Sequence, residues 1–237
     1  MEDKKLSRAR LIFGDEGMER LANVRVIVFG CGGVGSWCIE SLVRTGVRHI
    51  TIVDMDTVAE SNVNRQLMAT ALTIGQPKVE AMRLHLLEFA PDADITAIQK
   101  MYCEETAHEF PLDDYDFVVD AIDSVKCKML LIRNATASKA RLFSSMGAAL
   151  KIDPTRIAVA EFWKVKGCKL ALALRNGFKR EGRFPARKFK CVYGEERLEN
   201  RAGVEGERSN GSLVHVTGIF GFTLAGLVLQ DIFSQQS

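Results

Sequence analysis

The sequence has few features of a secreted or zinc-stabilised protein. Its six cysteines stand singly and form no C-x-x-C pair, which argues against a tetrahedral thiolate site and predicts free, reduced thiols. The amino-terminal segment MEDKKLSRAR is charged and no apolar run follows it, so we expect no signal peptide. The chain also lacks internal repeats. These absences favour a cytoplasmic protein, and 237 residues with 47% hydrophobic content suffice for a sizeable core.

Charged residues are almost absent from one stretch, residues 213–233, which is about as long as a membrane span. His215 and Gln230 interrupt the stretch, and its glycines suit close packing between helices. We therefore predict a buried or interface helix, with a membrane span as the alternative.

Short apolar runs alternate with amphipathic segments along the first 150 residues. Continuous apolar runs separated by helical periodicity indicate a parallel sheet covered on both faces. The predicted fold is therefore an α/β, Rossmann-like, mostly parallel sheet with helices on both faces. We predict strands at 23–29, 49–54, 95–98, 117–121, 142–146 and 156–165, helices at 76–89 and 126–140, and a loop at 193–212.

A glycine-rich turn follows the first predicted strand. In GCGGVG, the glycines allow a tight turn and a close approach of the backbone to phosphate oxygens at a helix N-terminus. Asp54 ends the second predicted strand, where a carboxylate can accept hydrogen bonds from ribose hydroxyls. The pattern predicts an adenosine nucleotide, and leaves open ATP, NAD or merely a helix packed tightly on a strand. The predicted turn residues are Gly30, Gly32, Gly33 and Gly35.

The polar segment after the second strand carries groups suited to a triphosphate. Arg65 offers a fork of donors and Lys78 a compact charge, while Asn62 and Gln66 add neutral hydrogen bonds. The alternative is a capped polar loop with a solvated arginine and a surface lysine. These residues favour ATP over NAD.

Two carboxylates, Asp120 and Asp123, stand at the end of the strand predicted at 117–121. Ligands bind at the carboxyl ends of strands in such sheets. A carboxylate beside phosphates implies Mg²⁺ between them, so Asp123 is the predicted metal ligand. The alternative is that Asp123 caps the following helix.

The combined motifs GxGGxG, DxDxVxxSNxxRQ, GxPK and DAID resemble the ubiquitin-activating-enzyme-like superfamily, which includes adenylating enzymes of molybdopterin and thiamine biosynthesis. The resemblance implies that ATP with Mg²⁺ activates a carboxylate. By position, it assigns the four turn glycines to the phosphates, Asp54 to the ribose and Asp123 to the metal. Asn62, Arg65 and Lys78 would contact the triphosphate, and Gln66 and Asp56 would line the site.

Further segments, among them SRARLIFG, GCGGVGSW, VVDAIDSV and KCVYGEE, look like the tRNA threonylcarbamoyladenosine dehydratases. That resemblance implies ATP-dependent cyclisation of N6-threonylcarbamoyladenosine next to the tRNA anticodon. It also implies a homodimer in which Arg8 reaches the other subunit's ATP, with Arg10 as the rival, and it admits a sulfur-relay protein partner. The catalytic residues would be Arg8, Arg65, Lys78 and Asp123, whereas we interpret Cys191 as structural.

Three other functions remain open. The chain could adenylate the C-terminus of a small sulfur-carrier protein, although the paired zinc cysteines often found in such enzymes are absent. The glycine turn and Asp54 alone would also allow an NAD-dependent oxidoreductase. A noncatalytic nucleotide sensor is the third alternative.

The charge is unevenly distributed along the chain. Residues 1–150 hold 17 Lys/Arg against 21 Asp/Glu, whereas residues 151–210 hold 15 against 8. A basic segment of this kind suits a phosphate backbone, with a solvated charged loop as the alternative. We predict an ATP-binding Rossmann-like domain at 1–150 and, in the same globular unit, a basic segment with a packing helix at 151–237. The cations in question are Arg175, Lys179, Arg180, Arg183, Arg187, Lys188 and Lys190.

Overall fold

A computed structural model describes residues 4–203 and 210–234. Seven strands form one sheet: β1 (Arg25–Phe29), β2 (His49–Val53), β3 (Asp94–Ile98), β4 (Phe117–Asp120), β5 (Arg141–Ser145), β6 (Ile157–Glu161) and β7 (Lys190–Gly194). The helices are α1 (Ser7–Asn23), α2 (Gly35–Thr45), α3 (Lys78–Leu87), α4 (Val125–Ala137), α5 (Lys169–Glu181) and α6 (Val214–Ser234).

The strand order is β3-β2-β1-β4-β5-β7-β6, and every pair is parallel except β6 with β7. The central strands are apolar and buried on both faces, which is why they lack the polar alternation of a half-exposed sheet. One core cluster joins the sheet to α2, α3 and α6, and a second joins it to α4 and α5. The predicted fold class is confirmed.

The chain reverses direction across the sheet between β1 and β4. From β1 it winds outward through β2 to β3, and it then returns to place β4 on the other side of β1. The loops after β1 and β4 therefore diverge at the carboxyl ends of neighbouring strands. This switch point is where open α/β sheets form a ligand crevice.

Several predicted boundaries differ from the structure. The strand predicted at 156–165 ends at Glu161, because a 3-10 turn, Phe162–Lys164, begins where the Glu161 carboxylate accepts the amide of Trp163. The loop predicted at 193–212 begins too early, since β7 extends to Gly194. Residues 204–209 of that prediction lie outside the described residues.

The apolar C-terminal segment forms α6, a helix long and apolar enough to cross a membrane by length and composition. Within this fold it packs along α2, and its buried residues include Val216, Phe220 and Leu224. A Cβ on Gly221 would lie 2.5 Å from the carbonyl oxygen of Val34, so the glycine allows the two helices to touch. The structure thus favours the predicted packing helix.

Candidate nucleotide-binding site

The predicted nucleotide turn lies at the switch point between β1 and β4. Gly30 has a φ of 94°, and a Cβ there would lie 2.7 Å from the carbonyl oxygen of Ala121, which follows β4. A Cβ on Gly35 would meet the carbonyl oxygen of Gly30 at 1.8 Å. These two glycines are therefore required for the turn itself, by backbone conformation and by backbone contact.

The other two glycines face the crevice. A Cβ on Gly32 would have Gln66 Nε2, at 3.8 Å, as its nearest contact, so the backbone there is open. A Cβ on Gly33 would lie 3.2 Å from Cγ of Arg65 and 3.3 Å from Cβ of Thr217. The predicted role of approaching a phosphate is thus best suited to Gly32 and Gly33, and Gly30 and Gly35 shape the turn.

Asp54 is fixed against the glycine turn. One carboxylate oxygen accepts the amide of Cys31 at 2.6 Å, and the other accepts the amide of Asp56 at 2.9 Å. Each oxygen keeps a lone pair, so the carboxylate can still accept ribose hydroxyls, as predicted. The Cys31 thiol is buried, and burial followed by the Asp54 charge raises its pKa, which leaves it unreactive.

Asn62 and Gln66 lie inside the loop between β2 and α3. Asn62 is buried, and its side-chain oxygen accepts the amide of Ala59 at 3.1 Å, which closes a 3-10 turn. Gln66 is also buried, and its Oε1 has no hydrogen-bond partner in the described structure. The Gln66 atom nearest the open Gly32 backbone is Nε2, so the amide group lies beside the position predicted for the phosphates.

Arg65 stands over the glycine turn. Its Nη1 donates to the carbonyl oxygen of Ser61 at 2.9 Å and to Oδ1 of Asn64 at 2.8 Å, while Trp37 Nε1 donates to its carbonyl oxygen at 3.1 Å. The guanidinium carries five donors in all, so further N–H groups remain for an anion. The backbone is held in place, and the alternative of a freely solvated arginine does not describe it.

Lys78 begins α3 and is a buried residue, not a surface lysine. Its ammonium donates to Oδ2 of Asp56 at 2.7 Å, and its amide donates to the Asp56 carbonyl oxygen at 3.0 Å. The Asp56 side chain is half exposed, so the pair reaches solvent on one side. Asp56, predicted to line the site, is thereby placed as the partner of the lysine.

The two carboxylates after β4 have opposite environments. Asp120 is fully buried, accepts the hydroxyl of Ser144 at 2.7 Å, and forms an ion pair with Lys128 at 2.9 Å. Asp123 is exposed and makes no hydrogen bond or ion pair with any described residue. Ser124 occupies the N-cap of α4, so the alternative of Asp123 as helix cap is wrong.

Lys128 is a site-supporting residue that the sequence reasoning missed. It is fully buried, and its ammonium also donates to the carbonyl oxygen of Ile122 at 2.8 Å. The amide of Ile122 in turn donates to Oδ1 of Asp120 at 3.1 Å. The pair therefore fixes the loop that carries Asp123. A signal was present, because an aspartate inside a buried strand requires a cation nearby.

The donor set can hold Mg²⁺ only together with a phosphate ligand. In residues 4–203 and 210–234, no group of three or more His, Cys, Asp or Glu side chains could hold a metal ion. Mg²⁺ in nucleotide sites keeps several waters and takes one or two carboxylates plus phosphate oxygens. The single exposed carboxylate of Asp123 fits that requirement.

The remaining predicted residues lie outside the switch-point crevice. Arg8 is exposed in the first turn of α1, and Arg10 of the same helix pairs with Asp15 at 3.3 Å. Cys191 is buried in β7, and burial raises the pKa of its thiol, as expected for a structural residue. All six cysteines are free, as predicted.

A cavity of about 420 Å³ lies at the other end of the sheet. Residues at the start of β5 and β7, with part of α6, line it, including Arg141, Lys190 and Leu227. None of the predicted nucleotide-binding residues does. The switch-point crevice is consequently the candidate site on chemical grounds.

Comparisons with known proteins agree with this geometry. The sequence model of the ThiF family matches residues 6–235. A tRNA threonylcarbamoyladenosine dehydratase of Bacillus subtilis is 41% identical over 178 residues, which cover 75% of this chain and 70% of that protein. The Escherichia coli enzyme of the same name is 31% identical, over 94% of this chain and 91% of that protein. The crystal structure of the E. coli dehydratase with ATP superposes with a TM-score of 0.88 at 30% identity, covering 98% of this chain and 95% of that one.

Proposed function

Since the chain belongs to the ThiF family, we propose that it is an ATP-dependent enzyme that cyclises N6-threonylcarbamoyladenosine next to the tRNA anticodon. The convergence of groups at the switch point carries this proposal. Open glycine backbone and an exposed aspartate follow the carboxyl ends of β1 and β4, and an arginine and a buried lysine belong to the segment that joins β2 to α3. Such a set suits a nucleotide triphosphate better than a dinucleotide, which needs no added cations.

The chemistry requires activation of the threonyl carboxylate. A carboxylate oxygen is a poor leaving group until ATP transfers a phosphorus group to it. A nucleophile of the neighbouring urea group then loses its proton and attacks the carbonyl carbon, and the ring closes as the C–O bond breaks and the oxygen leaves with the phosphorus group. No protein nucleophile is needed, which agrees with the buried, high-pKa thiols of Cys31 and Cys191.

The residues of this chain act mainly by orientation and charge neutralisation. Gly32 and Gly33 admit the phosphates, and Arg65 and Lys78 hold charge that develops on the transferring group. Asp54 orients the ribose, and the Gln66 amide lies beside the open backbone of Gly32. Asn62 holds the loop from which Arg65 and Gln66 project.

Asp123 would hold Mg²⁺ beside the phosphates. When bound, the ion would neutralise phosphate charge and align the reacting oxygens. The buried pair of Asp120 and Lys128 keeps the Asp123 loop in place without offering a second charge to the crevice.

The proposal extends to assembly and location. We propose a homodimer in which Arg8, exposed at the start of α1, contacts ATP of the partner subunit. A sulfur-relay protein is a further proposed partner. A cytoplasmic location fits a tRNA substrate and the free cysteines.

Mass analysis of tRNA nucleosides tests the function directly. Purified tRNA bearing the open nucleoside is incubated with ATP and protein, then digested under mild conditions. We expect a product lighter by one water molecule, which requires both ATP and protein. Arg65→Ala should lose this activity, and Lys100→Ala, in an exposed ion pair beyond β3, should keep it.

Two results would contradict the proposed function. If the protein leaves the nucleoside unchanged, while a small sulfur-carrier protein stimulates pyrophosphate exchange that tRNA does not affect, the chain activates a protein carboxylate instead. Tight NADH binding without ATP binding would exclude both functions.

A further inference from the structure

Two exposed aromatic rings lie side by side beyond β6. Trp163 is 39% exposed and Phe184 is 53% exposed, with ring centroids 6.1 Å apart and planes inclined by 48°. Large aromatic side chains are usually mostly buried, and contiguous exposed apolar surface marks interaction sites. Neither residue belongs to the nucleotide-binding crevice.

The tryptophan is held in this exposed position from several sides. Its amide donates to the Glu161 carboxylate at 3.1 Å, and its carbonyl oxygen accepts Nη1 of Arg175 at 3.3 Å. Its ring packs edge-on against the buried ring of Phe162, with centroids 5.1 Å apart. The platform is therefore preorganised, and a flat ligand can stack on it at a low entropic cost.

Cations flank the two rings. Lys164 follows Trp163, Arg183 precedes Phe184, and Arg180 lies in the last turn of α5, four residues before Phe184. All three are exposed, and none makes a hydrogen bond or ion pair with a described residue. We call Trp163, Lys164, Arg180, Arg183 and Phe184 the Trp163–Phe184 surface. It combines apolar rings with positively charged side chains that form no ion pair with a described residue.

Two of the cations predicted to contact a phosphate backbone hold carbonyl oxygens of the fold. Nη1 of Arg175 donates to three carbonyl oxygens between Phe162 and Val165. The guanidinium of Arg187 donates to four carbonyl oxygens at the end of α4 and just beyond it. Both side chains satisfy backbone acceptors of the fold, whereas Lys164, Arg180 and Arg183 do not. Contact of Arg175 and Arg187 with a phosphate backbone stays a prediction.

The Trp163–Phe184 surface is remote from the crevice. In the register of β6 and β7, Glu161 pairs with Lys190, and Trp163 follows Glu161 by two residues, beyond the start of β7. The nucleotide site lies at the carboxyl ends of β1 and β4. In the strand order, β6 is separated from β4 by three strand spacings, roughly 14 Å. A partner that contacts both regions must be large and anionic.

We propose that the Trp163–Phe184 surface binds tRNA away from the modified nucleotide. Trp163 and Phe184 stack an unpaired base, and Lys164, Arg180 and Arg183 contact its flanking phosphates. Single-stranded RNA is recognised in this way, by aromatic stacking beside cationic side chains. The inference rests on the proposed function only in naming tRNA as the polyanion.

Direct binding measurements with aromatic variants test this surface. The affinity of the full-length protein for tRNA is measured by fluorescence anisotropy across a salt series. Trp163→Ala should weaken binding about tenfold or more, the usual cost of losing one stacking side chain, whereas Trp163→Phe should retain most of the affinity. ATP affinity and kcat at saturating tRNA should not change.

The charge is tested separately. Arg183→Ala should weaken binding and lower the slope of log K against log salt by about one unit. Lys100→Ala also removes one positive charge but lies beyond β3, at the opposite edge of the sheet, and should leave tRNA affinity unchanged.

The results of these binding measurements can distinguish a failure of the proposed tRNA-binding surface from a failure of the proposed cyclisation activity. If Trp163→Ala keeps the wild-type melting temperature and binds tRNA as the wild type does, the inference is overturned, and a protein ligand becomes the better explanation of the exposed rings. If the variants lose tRNA affinity but the wild type never cyclises the nucleoside, the surface stands and the proposed function fails.

Discussion

Replacement of Lys78 by methionine tests whether the site works by charge. The ammonium is buried and lies 2.7 Å from Asp56, so two explanations of its importance exist. It can hold charge on the transferring phosphorus group, or it can hold only the loop through Asp56. Methionine keeps the unbranched apolar stem and removes the charge alone.

The two explanations predict different magnitudes. Loss of one preorganised donor to a developing charge costs about 3–4 kcal/mol, or roughly 10²–10³-fold in kcat. The Asp56 carboxylate is half exposed, so water can solvate it after the change, and stability should fall by only about 1 kcal/mol. Lys78→Met should therefore be folded and nearly inactive.

Asp56→Asn is the matched control, because it removes the same ion pair but leaves the ammonium. We expect a larger stability loss, because the buried ammonium loses its countercharge, and a kcat loss below about tenfold. Both variants are assayed for tRNA nucleoside conversion under saturating ATP and for thermal unfolding. Equal losses of kcat in the two variants would refute the charge argument and leave Lys78 a loop-holding residue.

Three further predictions concern the fold around the site. Gly35→Ala should unfold the protein or sharply lower its melting temperature, because a Cβ there strikes the backbone of the turn. Gly32→Ala should fold normally but bind ATP more weakly, as measured by calorimetry. Equal stabilities of the two variants would contradict the assignment of Gly35 to the turn and Gly32 to the crevice. Lys128→Met should lower the unfolding free energy by about 3–5 kcal/mol, since it strands a buried carboxylate, and a neutral result would show that water replaces the pair. A hydrogen bond with Glu40 raises the pKa of His85, and bonds from His85 and a neighbouring arginine outweigh burial to lower that of Glu40. The pair should therefore stabilise the folded state fully between about pH 4.5 and 6.5. This stabilisation should decrease as the pH rises through the His85 pKa or falls through the Glu40 pKa. A His85→Gln variant with the wild-type pH profile of urea unfolding would contradict this.

Local patterns predicted the sheet and the nucleotide turn because both depend on neighbouring residues. A buried parallel strand requires a continuous apolar run, and the turn requires glycine at positions where Cβ would strike the backbone. The same reasoning could not divide the four glycines between turn and crevice. For Gly30 the assignment depends on Ala121, which is distant in sequence and adjacent only through the pairing of β1 with β4. For Gly32 and Gly33 it depends on Gln66, Arg65 and Thr217, which are also distant in sequence.

The missed features depend on contacts between distant segments. Helix α5 was not predicted because its many cations were interpreted as a basic segment, although its buried residues Ala171, Leu174 and Phe178 recur at helical spacing. Strand β7 was not predicted because its apolar run is only three residues long, Cys191 to Tyr193. Arg175 and Arg187 were assigned to a phosphate backbone on charge alone, although each satisfies carbonyl groups that only the folded chain brings near. Treating that segment as cationic also overlooked Phe184, which contacts Trp163 from beyond the end of α5.

The different environments of Asp120 and Asp123 lead to a specific prediction about Mg²⁺ binding. Lys128 neutralises Asp120 inside the fold, so the crevice has the exposed charge of Asp123 but no second carboxylate from this motif. One carboxylate with water is a weak Mg²⁺ site, and phosphate oxygens must supply the remaining ligands. Calorimetric titration should therefore detect little Mg²⁺ binding without nucleotide and clear binding with a non-hydrolysable ATP analogue, and Asp123→Asn should weaken only the second. Tight Mg²⁺ binding by the nucleotide-free protein would mean that other side chains complete the site, and the assignment of the metal to Asp123 and the phosphates would be wrong.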